Sequence, residues 1–165
     1  MNFFKPKIKR IVTPEAALTK LMVLTSKSEK CSGDALRLMA RWEIDEQSQS
    51  EILKRLISEK WIDDRRFAEA FVRDKSTFSS WGKYKIKNAL RTKGIDKETI
   101  DDVLEAMNNE DSIENLVLLL KKKKRNTKAN SDYELKGKLF RYAMSRGFEY
   151  DDITSALNKL NDDDE

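Results

Sequence analysis

The sequence predicts an all-α fold: three tandem three-helix repeats forming an elongated, curved array. Three observations carry this. Both prolines, Pro6 and Pro14, lie near the amino end and only five glycines punctuate the 165 residues, so nothing after Pro14 has to interrupt a helix. Apolar residues recur at i, i+3 and i+4, the spacing of one helix face. Charged residues make up 38 % of the chain, against roughly 25 % in ordinary globular sequences, which confines apolar side chains to one face of each element.

Residues 1–13 read as a basic arm, with Thr13 as an N-cap and Pro14 at the first helical position. Helices are expected at about 14–27, 33–43, 48–60, 64–77, 82–93, 97–108, 111–124, 132–146 and 150–160. They group into repeats 14–61, 62–108 and 109–161, followed by an acidic tail at 162–165. Each repeat is too small to bury a large core alone and leans on its neighbour.

An internal similarity supports the grouping. Lys60-Trp61-Ile62-Asp63 aligns with Lys93-Gly94-Ile95-Asp96 and Arg146-Gly147-Phe148-Glu149. Leu53/Ile86/Leu139 and Ile57/Leu90/Ala143 then match before the turn, Phe67/Ile100/Ile153 and Ala70/Val103/Ala156 after it. Glycine suits a left-handed helix end, the next apolar residue plugs the turn, and the acidic residue favours the start of the following helix. Trp61 stands where glycine is expected, which calls for a different turn in that copy. Gly137 falls inside an expected helix, where close helix approach or a misplaced boundary would explain it.

Composition excludes several chemistries. With no His and a single Cys31, the chain has no Ser-His-Asp or Cys-His machinery, no His-containing metal site and no intramolecular disulfide. No catalytic residue, metal or cofactor is expected. The paired carboxylates Asp63-Asp64, Asp101-Asp102 and Asp151-Asp152 suit helix starts and solvated faces better than a two-metal site. The amino terminus lacks a secretory signal and no segment approaches the roughly 18 apolar residues of a membrane span, so a soluble, cytoplasmic protein in a reducing compartment is expected, with no membrane partner.

Charge is arranged in blocks. Residues 65–95 carry nine basic residues against Glu69 and Asp74, a balance of +7, and residues 96–115 carry eight acidic residues against Lys97, a balance of −7. Residues 117–146 return to +8 and 148–165 to −6. Lys83, Lys87 and Arg91 recur every four residues on one helix face, a candidate polyanion track whose plain alternative is a solvated face. Lys121, Lys122, Lys123, Lys124 and Arg125 form a denser cluster that awaits anionic partners or complements a helix carboxyl end. Trp81 and Tyr84, beside Lys83 and Lys85, are candidates for stacking on unpaired bases, with a hydrophobic staple as the alternative for Trp81.

The segment from Trp61 through Phe67, Phe71 and Lys75 resembles the RecX family of bacterial RecA regulators. So do Ala35–Arg41 with Ser50–Leu56, Gly82–Ile86 with Leu90–Ile95, and Lys138–Phe148, in the family's order, over about residues 30–160. The Trp42-Glu43-Ile44-Asp45-Glu46-Gln47 connection and Trp61 depart from the pattern. The resemblance implies tandem three-helix repeats, no enzyme activity, and a monomeric modulator that binds the groove of the RecA filament on single-stranded DNA and inhibits ATP hydrolysis, strand exchange and co-protease function. Weak direct contact with DNA is left open. Two other readings compete: a sequence-independent or helix-turn-helix nucleic-acid binder acting without RecA, and a helical adaptor whose basic stripes merely solubilise it.

Overall fold

The computed structural model describes residues 12–162; the acidic residues 163–165 and all of the expected basic arm before Val12 lie outside the described residues. Among the described residues the chain folds into nine helices: α1 (Pro14–Lys27), α2 (Ser32–Arg41), α3 (Glu46–Ser58), α4 (Asp64–Thr77), α5 (Lys83–Lys93), α6 (Lys97–Glu105), α7 (Asn109–Arg125), α8 (Asp132–Ser145) and α9 (Tyr150–Asp162). They form an all-α fold of tandem three-helix units.

Short polar side chains set the helix starts. The Thr13 hydroxyl accepts the Ala16 amide at 3.2 Å with Pro14 just inside α1, Asp45 caps α3 through the Ser48 amide at 2.9 Å, and Asp96 caps α6 through the Thr99 amide at 2.8 Å. Each satisfies an amide that has no carbonyl within its own helix. Cys31, at the start of α2, gives no side-chain cap. Instead the Ser32 amide donates to Asp64 at 2.7 Å, and burial pushes the Cys31 thiol up from its ordinary pKa.

The turns correct the alignment expected from sequence. The in-phase partner of Gly94 and Gly147 is Glu43, between the second and third helices of the first unit, and not Trp61, which lies between two units. All three residues are left-handed, with φ of 61°, 84° and 85°. In each turn the next amide reaches five residues back, Ile44 to Met39 at 3.1 Å, Ile95 to Leu90 at 3.1 Å and Phe148 to Ala143 at 3.3 Å. This bond closes the helix end and buries the apolar plug. In the same phase Ala35, Ile86 and Leu139, then Met39, Leu90 and Ala143, are buried. The turn after α3 is of the same kind, but its left-handed residue is Lys60, at φ 60°. Trp61 follows it and bonds back to Leu56 at 2.8 Å, so Trp61 itself bears no left-handed strain. Gly137 lies inside α8, and a Cβ there would meet nothing nearer than the Arg141 side chain at 3.7 Å; close helix approach does not explain it.

The chain divides into two compact units, one through Asp64 and one from Arg65. The first packs α1, α2 and α3 around Leu21, Met39, Ile52, Leu56 and Ile62. The second holds α4 through α9. In its carboxyl-terminal part α7 lies against α8 and α9 over Leu116, Leu120, Leu139, Phe148 and Ile153, while Phe67, Val72, Ile86, Leu90, Ile100 and Leu104 are buried in α4, α5 and α6.

Candidate functional site

Within the second unit, the amino end of α5 abuts the carboxyl end of α8. Gly82 offers no side-chain cap. Its amide donates to the Arg146 carbonyl at 2.9 Å, and the Tyr84 amide to the Gly147 carbonyl at 3.1 Å. One helix's spare donors thus meet the other's spare acceptors, with the dipoles aligned favourably. The approach is tight: a Cβ on Gly82 would lie 2.2 Å from the Gly147 carbonyl oxygen, and one on Gly147 would lie 2.5 Å from the Lys85 amide nitrogen.

This junction absorbs part of the expected polyanion track. Lys83 donates to the Asn109 side chain at 2.6 Å and lies near Asp152, whose carboxyl is raised chiefly by burial and next by Glu149, with Lys83 opposing. Lys87 is paired with Asp101 at 2.8 Å. Arg91 is exposed and makes no side-chain hydrogen bond or ion pair among the described residues. Of the three, Lys87 is paired with a carboxylate, Lys83 is held by a neutral amide, and only Arg91 is exposed.

The 121–125 cluster forms the last turn and a half of α7, where cations complement the helix carboxyl end. Lys122 and Arg125 are exposed, Lys121 and Lys124 half-buried. Lys123 lies with its ammonium 4.9 Å from the centre of the Tyr142 ring. Trp81 is half-buried: Phe71 meets it edge to face at 6.4 Å, and the ammoniums of Lys75 and Lys85 lie 5.2 and 4.7 Å from its centre. Tyr84 is 65 % exposed. Phe78, at 83 % exposure, is an outward-facing aromatic that the sequence reading passed over, because one phenylalanine in a loop carries no periodic signal.

Three of the paired carboxylates are held by hydrogen bonds or ion pairs, and Asp151 and Asp152 lie in the first turn of α9. Asp64 accepts the Ser32 amide, Asp101 binds Lys87 and Lys97, and Asp102 binds Arg65 at 2.9 Å. No group of three or more Cys, Asp or Glu side chains among the described residues could hold a metal ion. A cleft of about 510 Å³ between α4, α6 and α7 is lined by both signs, Arg65 and Arg73 against Glu69, Asp102, Asp111 and Glu114. No described helix is long and apolar enough to cross a membrane.

Helical units of this kind define the tandem three-helix class of all-α proteins. Models of the second and third three-helix domains of RecX match residues 63–104 and 109–157. Regulatory protein RecX of Oceanobacillus iheyensis is 33 % identical over 134 residues, covering 81 % of this chain and 48 % of that protein. Regulatory protein RecX of Clostridium botulinum strain Alaska E43 is 31 % identical over 151 residues, covering 90 % of this chain and 69 % of that one. The crystal structure of RecX from Lactobacillus salivarius matches with a TM-score of 0.82 at 25 % identity, over 90 % of this chain and 96 % of that one. The chain belongs to the RecX family of regulatory proteins, and it spans about half the length of the Oceanobacillus relative.

Proposed function

We propose that this chain regulates RecA by binding, as a monomer, in the groove of RecA filaments on single-stranded DNA, and that it thereby lowers ATP hydrolysis, strand exchange and co-protease activity. The observation that carries the reading is the match to the Lactobacillus salivarius RecX structure across 90 % of the chain. The charge blocks support it: a protein-coated nucleic acid offers phosphates and protein side chains of both signs, and alternating stripes complement such a surface. Three repeats at 14–61, 62–108 and 109–161 would place several weak contacts along one groove, where each raises the effective concentration of the next.

The test is RecA ATP hydrolysis on single-stranded DNA, with RecA from the same source and this protein titrated from well below equimolar. Inhibition at substoichiometric ratios that excess DNA does not relieve is the expected result. No inhibition, or inhibition abolished by added DNA, overturns the reading. Charge reversal at Arg91 with Lys122 and Arg125 assigns the sequence-derived cations: weakened inhibition with unchanged circular dichroism places them at the filament, and unchanged inhibition removes them from it.

A further inference from the structure

We infer that the second unit carries a binding surface for single-stranded nucleic acid that acts without RecA, formed by Lys75, Lys85, Arg146 and Lys123 with the outward rings of Phe78 and Tyr84. This goes beyond filament regulation and uses residues other than the Lys83, Lys87 and Arg91 track. Its basis is how the four cations are held. Lys75 lies over both Phe71 and Trp81, at 5.4 and 5.2 Å from the ring centres. Lys85 lies over Trp81 at 4.7 Å and reaches the Ser145 carbonyl at 3.5 Å. Arg146 lies over Tyr142 at 5.4 Å, donates to its hydroxyl at 3.1 Å and to the Ser79 carbonyl at 3.3 Å. Lys123 approaches the same Tyr142 ring.

These contacts link the end of α4, the α4–α5 loop, the first turn of α5, the end of α8 and the end of α7 into one band of alternating cations and rings. Among the described residues none of the four cations is paired with a carboxylate. The contrast with Lys87, Lys97 and Lys138, each bound to an acidic side chain, decides the matter. A carboxylate cancels a cation's charge, whereas a ring or a carbonyl positions it and leaves its charge in place. The band therefore holds four positive charges pre-positioned for an anion. Exposed Phe78 and Tyr84 add ring faces to which unpaired bases, unlike the side chains of an acidic protein, can stack over their whole area. Phosphodiester charge with accessible bases is the ligand chemistry that uses both features.

The test is fluorescence anisotropy of labelled oligo(dT) with the full chain and no RecA. The combined substitutions Lys75→Gln, Lys85→Gln and Lys123→Gln should weaken binding at least about tenfold and flatten the logarithmic salt slope by about 2, from roughly 0.7 per lost phosphate contact. Phe78→Ala, at a side chain too exposed to affect folding, should weaken it about fivefold or more. Lys54→Gln, Lys97→Gln and Lys138→Gln together remove the same charge elsewhere and should leave binding within about twofold of the parent. Equal losses in the two triple variants, or a Phe78→Ala protein that binds DNA as the parent does while polyglutamate binds as tightly as oligo(dT), would overturn the assignment. So would absence of oligo(dT) binding by the parent protein; if RecA inhibition persists in that case, the regulatory reading stands and this one falls alone.

Discussion

Glu43 in the first three-helix unit, Gly94 in the second and Gly147 in the third occupy the same turn with the same left-handed backbone, yet the turn asks different things of each. At Gly94 glycine serves backbone conformation, its φ of 84° lying in the left-handed region that a residue with a Cβ rarely adopts. At Gly147 it serves conformation and space together, because the Lys85 backbone of α5 fills the place of the missing side chain. At Glu43 the chain accepts the conformational cost, of order 1–2 kcal/mol for a residue with a Cβ. Equivalent positions in a repeat share geometry but not the reason for their residue, and that reason is set by what packs on the turn from outside.

Substitution at the crowded turn has the largest expected effect. Gly147→Ala combines left-handed strain with overlap against the Lys85 backbone, and should cost about 3–5 kcal/mol in urea unfolding. Gly82→Ala tests the spatial part by itself, since Gly82 has an ordinary φ of −79° but would meet the Gly147 carbonyl. A loss of about 2–3 kcal/mol is expected. If both variants unfold like the parent, the contact between α5 and α8 does not constrain these two positions. Gly94→Ala, which puts a Cβ on a left-handed residue, should cost about 1–2 kcal/mol. Glu43→Gly reverses the sign: relief of strain, partly offset by the added freedom of glycine in the unfolded chain, should yield a gain of up to about 1 kcal/mol. Thermal unfolding of the two variants side by side reads that reversal directly.

The same distinction explains what the sequence made legible. Helix positions follow from i, i+3, i+4 spacing and from caps such as Thr13 and Asp96, and every expected helix is present with its ends moved by three residues at most. The phase of the first repeat was not legible, because its turn uses Glu43 where the later copies use glycine, while Trp61 in the next turn sits beside a matching Ile-Asp pair. The candidate site was legible as composition and not as geometry. Lys83, Lys87 and Arg91 share a helix face, but spacing along α5 says nothing of Asn109 and Asp101 on neighbouring helices, which occupy two of the three. The Tyr142 and Arg146 contact could have been found, since residues four apart on a helix touch. The Lys85 approach to Ser145 joins residues 60 apart and leaves no such local signature.

The finest contrast between the second and third repeats lies across their equivalent turns. Around Gly94, α5 and α6 are tied by Lys87 to Asp101, which Lys97 also binds; around Gly147, α8 and α9 meet through Phe140 and Tyr150, edge to face at 5.4 Å. The Lys87 hydrogen bond, then that of Lys97, holds the Asp101 carboxyl down at about 2 from 3.8. Since the folded value lies below the unfolded one, this contribution is fully present above about pH 4 and is lost as pH falls through about 2. Carbon-detected NMR should therefore give Asp101 a midpoint near 2, and Lys87→Met should raise it while Lys97 keeps it below the ordinary carboxylate value. Both side chains keep a third or more of their surface in water, so the effect on stability is small and shrinks with added salt. The ring contact between α8 and α9 carries no charge over that range. Acid should thus release the Lys87 tie at the Gly94 turn and leave the Phe140–Tyr150 contact intact, whereas parallel loss of both contacts would show that the two turns do not differ in this way.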